Sequence, residues 1–210
     1  MGIKTVVVGV LQVNCYIFYD ETSKECLIID PGDDADKICK IIEDNSLKPT
    51  IIVNTHYHFD HTGANRSIKN RYDIPIAIGE KDALFLKDAY KAALEFMIQA
   101  ESSPKADILL KEGETLSVGE KIFEVLETPG HTQGSVCLYS KKEKILFSGD
   151  TLFYESVGRW DLPGGNKEML FESLERLLNL EKDVAVFPGH GPKTTIEHEI
   201  KNNPYKKGVL

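Results

Sequence analysis

Ile51-Ile-Val-Asn-Thr-His-Tyr-His-Phe-Asp-His-Thr62 runs from a β-branched apolar stretch straight into four side chains of metal-ligating type: His56, His58, Asp60 and His61. The run Ile51 to Asn54 predicts a buried strand, and the polar cluster then sits where that strand opens into a loop. Alternate residues of an extended segment point the same way, so His56, His58 and Asp60 can converge while His61 faces elsewhere. One short segment can thus feed two adjacent metals, His56 and His58 serving one, Asp60 and His61 the other.

Working outward, three further candidate ligands follow, each beside a glycine: His131 in Pro129-Gly-His-Thr132, Asp150 in Ser148-Gly-Asp-Thr151 and His190 in Pro188-Gly-His-Gly191. The chain has 6 histidines, and all but His198 fall in these clusters, a placement that scattered core or surface histidines would not show. His131 and His190 complete the two sets, and Asp150, with two carboxylate oxygens, can bridge them. Imidazole and carboxylate ligands without thiolate suit zinc and also admit iron or manganese, and three or four protein ligands per metal leave an open, catalytic position. Two divalent metal ions per chain are therefore expected. No Gly-x-Ser-x-Gly elbow and no phosphate-binding loop appears, so the expected nucleophile is water whose pKa a metal brings down to about 7. Asp60 is also placed to orient that water. Asp30, in Ile28-Ile-Asp-Pro-Gly32, reads either as a partner of a ligand histidine or as a turn residue. His198, in an expected helix from 195 to 202, reads as exposed and without a role.

With 25 Lys+Arg against 33 Asp+Glu, the net charge of −8 excludes the broad basic footprint of a nucleic-acid-binding protein. An anionic substrate then needs a local cation. Cys15, Cys26, Cys39 and Cys137 form no Cys-x-x-Cys pair and read as buried free thiols, with Cys26 set opposite Phe18 or Tyr19 rather than Cys15. The apolar N-terminus is too short for a membrane span and lacks a cleavage pattern, so it reads as a strand, and a cytoplasmic protein with no membrane partner is expected.

Strands are predicted at 5–10, 15–19, 25–29, 51–54, 76–78, 121–126, 135–140, 144–147 and 184–187. Helices are predicted at 33–44, 80–101 and 167–179, the last capped by Asn166. The apolar and aromatic residues of 80–101 read as core. Two strand-rich halves, each ending in ligands, with no linker between them, suggest one domain over 1–210 made of two packed sheets covered by helices.

Thr55-His-Tyr-His-Phe-Asp-His61, Thr128-Pro-Gly-His-Thr132, Ser148-Gly-Asp-Thr-Leu-Phe153 and Pro188-Gly-His-Gly191 resemble the metallo-β-lactamase superfamily. The resemblance implies an α/β, four-layer αββα sandwich of two mixed β-sheets flanked by helices, with the metals at one edge of the paired sheets. Val13-Asn-Cys-Tyr16, Asp30-Pro-Gly32 and Gly149-Asp-Thr-Leu-Phe153 narrow it to the glyoxalase II group, the hydroxyacylglutathione hydrolases, which cleave S-acylglutathione thioesters. In that group a basic residue shortly after this last stretch grips the glycine carboxylate of glutathione, and Arg159 holds the corresponding position. Read from the residues alone, Arg159 is equally an ion-pair partner of Asp161, which stands where the long enzymes tend to have Tyr. The C-terminal helical glutathione-binding domain of those enzymes has no counterpart here, so the chain resembles their short, single-domain relatives.

A metal-dependent thioester hydrolase of the glyoxalase II kind, acting through a metal-bridging hydroxide on a small thiol-derived substrate, is the function this pattern implies. Its rivals are a persulfide dioxygenase with a single iron on His56 or His58, His131 and Asp150, another binuclear hydrolase such as a lactonase or phosphodiesterase, and a binding protein without turnover.

Overall fold

The computed structural model describes residues 1–95 and 97–209, and most of its strands sort into two six-stranded sheets. The first contains, in spatial order, β1 (Gly2–Val8), β2 (Val13–Tyr19), β3 (Glu25–Ile29), β4 (Lys48–Asn54), β5 (Ile76–Gly79) and β6 (Ile108–Leu110). Its first three strands pair antiparallel and the rest add in parallel. The second sheet begins with β7 (Thr115–Val118), β8 (Lys121–Glu127), β9 (Val136–Ser140) and β10 (Ile145–Gly149), and continues through β13 (Ala185–Pro188) to β14 (Thr194–Thr195). There β10 and β13 are parallel and the other pairs antiparallel. A small hairpin, β11 (Leu152–Phe153) with β12 (Ser156–Val157), stands apart. The helices are α1 (Ala35–Asp44), α2 (Phe59–Thr62), α3 (Asn65–Tyr72), α4 (Tyr90–Glu95), α5 (Lys167–Leu178) and α6 (Ile196–Asn202).

Strand periodicity builds the layers. In β2, Cys15 and Ile17 face outward to Ile38 and Ile42 of α1 and Ile68 of α3. Tyr16 and Phe18 face the opposite way, into the seam between the sheets, where Phe18 meets Phe123 edge to face at 4.7 Å between ring centroids. On the far side of the second sheet, Cys137, Leu146 and Val186 pack under Leu170, Leu174 and Leu177 of α5. Three apolar interfaces thus join four layers in the order αββα, as expected. The side chain of Asn166 caps α5 by accepting from Met169 N at 2.8 Å. All four cysteines are free and buried, and Cys26 lies opposite Tyr19. Among the described residues, no helix is long and apolar enough to cross a membrane.

The long helix expected over 80–101 does not form. The segment holds a single 3₁₀ turn at Leu86–Asp88 and the short α4, while 98–101 has no regular structure and Phe96 lies outside the described residues. Among its described residues the buried apolar ones are only Leu86, Ala89 and Ala93, whereas Phe85 is 48% and Met97 95% exposed. Two alanines and one leucine bury too little apolar surface to stabilise a helix of that length. The expectation that its aromatic and Met residues are core is corrected accordingly for Phe85 and Met97.

The Asp30-Pro31-Gly32 turn fixes the ligand-bearing loop by direct backbone contact. Ala64 N donates to Pro31 O at 2.9 Å, and a Cβ on Gly32 would lie 1.5 Å from Asp60 O. A side chain there must push α2 away. We expect Gly32→Ala to destabilise the fold by about 1–3 kcal/mol, the usual cost of overpacking, and to lower metal uptake. Chemical denaturation midpoints and metal analysis check this, and an unchanged midpoint with full uptake would contradict it.

Candidate metal centre

β4 delivers its chain end to the rim of the two sheets, where the backbone bends at Thr55 and His56 and then turns into α2 at Phe59. Asp60 therefore enters the site from a helical turn rather than by strand alternation. His61, expected to face elsewhere, is fully buried and points inward next to it. Asn54 holds this turn in place by donating to His61 O at 3.0 Å. The second sheet supplies the other half: His131 from the loop between β8 and β9, Asp150 just after β10, and His190 just after β13.

All seven sequence-predicted ligands meet here. Donor atoms of His56, His58 and His131 lie within 4.8 Å of one another, as do those of Asp60, His61 and His190, and those of His56, His61 and Asp150. Asp150 stands between the sets: its Oδ1 is 3.4 Å from His61 Nε2, and its Oδ2 is 3.6 Å from both His131 Nε2 and His190 Nε2. His190 Nε2 is 3.3 Å from His61 Nε2 and 3.4 Å from Asp60 Oδ2.

The remaining ring nitrogens decide what this cluster can hold. His131 Nδ1 donates to Arg159 O at 2.8 Å and His190 Nδ1 to Leu11 O at 3.1 Å. His61 Nδ1 lies 3.0 Å from Asp30 Oδ2, an ion-pair contact whose alignment falls short of a hydrogen bond. Each of these partners assigns the proton to Nδ1 and leaves the Nε2 lone pair aimed at its neighbours' acceptor atoms. Lone pairs facing lone pairs and carboxylates are satisfied only by protons or by a cation. Buried His56 Nε2 and Asp150 Oδ1 also have no hydrogen-bond partner. The donor set and these orphaned atoms fit a divalent transition metal in each triad.

Electrostatics divides the two triads. Burial, reinforced by the neighbouring imidazoles, holds His56 well below the usual histidine range, and burial with His131 beside it brings His58 down to about 3. Burial also opposes charge on His61 and His190. There the carboxylates win: Asp150, Asp60 and Asp30 carry His61 well above the usual range, and Asp60 and Asp150 raise His190. Burial would raise Asp60 and Asp150 in turn, but His61 and its neighbours hold both below the ordinary carboxylate range.

Asp30 proves to be both things the sequence allowed. It sits at positive φ (51°) in its turn, and it accepts from Thr55 N and Thr55 Oγ1, each at 2.7 Å, while facing His61. Arg159 is exposed, and its guanidinium pairs with Asp161 through contacts of 2.9 and 3.0 Å. It reaches the site through its carbonyl, a role any residue type could fill and no motif could reveal. His198 stacks on Tyr154 and contacts Glu155 at 2.9 Å, away from the seven. A cavity of about 190 Å³ opens beside Asp60, walled by Val8, Val10, Leu11, Phe59 and Ile98.

Because metal displaces protons, the two triads should differ in their proton release. Burial favours the neutral form of His56 and His58, whereas the carboxylates around His61 and His190 favour the protonated form, whose proton binding must expel. Affinity at the Asp60, His61 and His190 triad should therefore rise with pH more steeply than at the other. Calorimetric titration of metal-free protein in two buffers of different ionisation enthalpy checks this; equal proton release at both steps would contradict it.

Residues 8–190 match the family model described as the metallo-beta-lactamase superfamily. The chain is 34% identical to hydroxyacylglutathione hydrolase GloC of Haemophilus influenzae over 98% of both chains. It is similar in structure to the B3 metallo-beta-lactamase BLEG-1, with a TM-score of 0.93 and 38% identity over 99% of this chain and 100% of that one. It is also similar to TTHA1623 in a di-iron-bound form, with a TM-score of 0.90 and 39% identity over 96% of this chain and 99% of that one. The seven-residue cluster thus lies in a chain that belongs to the metallo-β-lactamase superfamily.

Proposed function

We propose that this protein is a binuclear metallohydrolase that cleaves a thioester of the S-acylglutathione type. The observation that carries the hydrolase reading is the pair of triads with Asp150 between them, their lone pairs converging on two adjacent positions. The thioester specificity is supported by the likeness to GloC. Bound metal ions would supply an activated water at neutral pH and an electrophile for the carbonyl oxygen. Zinc fits the donor set, and the di-iron form of a similar structure makes iron the alternative to measure.

The protein's own groups divide the remaining work. Asp60, a carboxylate of the cluster held in its ionised form by His61, is the residue that orients the attacking water. A thiolate leaves without a strong general acid, because an ordinary thiol pKa of about 8.5 already makes it a fair leaving group. The protein's thiols do not compete as nucleophiles: burial raises Cys15 and Cys39, and carries Cys26 to about 12 and Cys137 to about 11. The apolar side chains of Val8, Val10, Leu11 and Ile98 suit an acyl or thiol chain. Arg159 is the cation for an anionic substrate end. Its exposed pairing with Asp161 is weak enough for a substrate carboxylate to displace it.

The deciding assay runs metal-analysed protein on S-lactoylglutathione, on glutathione persulfide with oxygen uptake, and on a β-lactam. Thioester turnover well above the other two is the expected result; oxygen uptake with one iron per chain, or β-lactam cleavage alone, would overturn the specificity.

Reconstituted protein should carry close to two metal ions per chain, and Asp60→Ala should bring this toward one and cut turnover by on the order of a hundredfold or more. A wild-type plateau near one ion, with Asp60→Ala active, would count against a binuclear centre.

Arg159→Met should raise KM for a glutathione thioester about tenfold with kcat little changed, and leave a small neutral thioester unaffected. Equal losses on both substrates would make Arg159 a structural residue.

A further inference from the structure

Asp82 is a fully buried carboxylate with no part in the candidate centre and no motif around it. It lies in the turn that follows β5, where its own N–H donates to Gly79 O at 3.0 Å. Its Oδ2 accepts from Tyr57 N at 3.1 Å and from Thr132 Oγ1 at 2.7 Å, and its Oδ1 accepts from Gly134 N at 2.7 Å. Tyr57 lies between His56 and His58, and Thr132 follows His131. One side chain on the first sheet thereby grips both loops that carry the His56, His58 and His131 triad. Backbone packing leaves it little play: a Cβ on Gly134 would sit 2.4 Å from Asp82 N, and Val136 N donates to Thr55 O at 2.8 Å just behind the triad.

The other triad has its own fastening. Asn14 Nδ2 donates to Pro188 O at 3.0 Å and to Gly191 O at 2.8 Å, bracketing His190 on both sides. Asn14 N donates to Gly189 O and Tyr16 Oη donates to Pro188 O, at 2.8 and 2.7 Å. Neither Asp82 nor Asn14 is bonded to the other's loops in any of these contacts.

We propose that Asp82 and Asn14 are positioning residues that set the affinities of the two metal positions separately, Asp82 that of His56, His58 and His131, and Asn14 that of Asp60, His61 and His190. The physical basis is that Asp82 ties loops of both sheets to one another while Asn14 ties the His190 loop to β2 of the first sheet, and a few tenths of an ångström there decides coordination geometry. Asp82→Asn keeps the shape but sets an amide NH₂ against the backbone N–H of either Tyr57 or Gly134, so one loop loses its acceptor. Asn14→Ala removes both donors to the His190 loop. The inference rests on the two-metal reading of the centre and on no particular substrate.

Stepwise cobalt titration of the metal-free full chain tests it, monitored by paramagnetically shifted ring N–H signals. The Nδ1 protons of His131 and His190, held by Arg159 O and Leu11 O, report the two positions individually. Asp82→Asn should weaken binding at the His131 position about ten- to a hundredfold and leave the His190 position within about twofold; Asn14→Ala should do the reverse. Thr132→Val, which removes one of the bonds to Asp82, should act in the same direction as Asp82→Asn but less strongly, and it keeps the test valid where Asp82→Asn fails to fold. Variants that weaken both positions alike, or neither, defeat the inference. Wild-type protein that takes up no metal defeats the two-metal reading itself, and the two failures are told apart by that control.

Discussion

Five imidazoles and two carboxylates held within a few ångströms of one another at the edge of two sheets form the constraint on which this structure turns. Such a cluster cannot relax by itself. Its imidazoles oppose one another's protonation, its carboxylates repel, and burial penalises every charge that is left unpaired. The arrangement holds because the outward-facing nitrogens are tied to fixed acceptors, His131 to the Arg159 carbonyl and His190 to that of Leu11, while His61 faces Asp30. What remains inside is a set of lone pairs and negative charges with a common demand for cations.

The surrounding fold meets that demand for rigidity with layers rather than with local bonds. Phe18, Phe123 and Phe147 fill the seam between the sheets, and the strand ends beyond them have little freedom to shift. The ligand loops leave these strand ends and are short, so errors in ligand position cannot accumulate along the chain. The Asp30-Pro31-Gly32 turn abuts α2 on one side, and Asp30 reaches Thr55 and His61 on the other, coupling the first sheet to both triads. By contrast, beyond Asp82 the segment from 80 to 101 has few buried anchors among its described residues. Its exposed Phe85 and Met97 present apolar surface where the sheets' own order stops.

The asymmetry between the triads has a functional consequence. One is built of three imidazoles, two of them held neutral by burial; the other contains Asp60 and borrows the field of Asp150 and Asp30. Identical metals placed in the two would meet different net charge, and the more negative position would bind its ion against a larger release of protons. Asp60 is the carboxylate of the second triad and also borders the adjoining cavity. An acyl carbonyl is suited to such a site because it needs polarisation on one side and an oriented water on the other.

Much of this was legible in the sequence. Which side chains gather at the cluster was, because imidazole and carboxylate chemistry belongs to the residue itself, and the motifs set each one near a strand end or a glycine. The two-sheet architecture was legible too, because β-branched runs such as Ile51 to Val53 and the alternation in Cys15 to Phe18 carry their period in the residues. The course of 80–101 was not, since Leu86, Ala89 and Ala93 give a helical spacing whose value depends on a partner surface that only the folded chain reveals. Nor was the inward turn of His61, set by the single turn of α2 that Asn54 and Gly32 enforce. Asp82 lies outside every motif, Asn14 stands in the Val13-Asn-Cys-Tyr16 stretch with nothing there to show that it reaches the His190 loop, and the carbonyls of Leu11 and Arg159 belong to a backbone that looks the same at any residue. The sequence by itself determined which atoms can ligate and which strands carry them; tertiary structure alone decided the distances among them, because those depend on contacts between residues as far apart as Asn14 and Gly191, which no local pattern encodes.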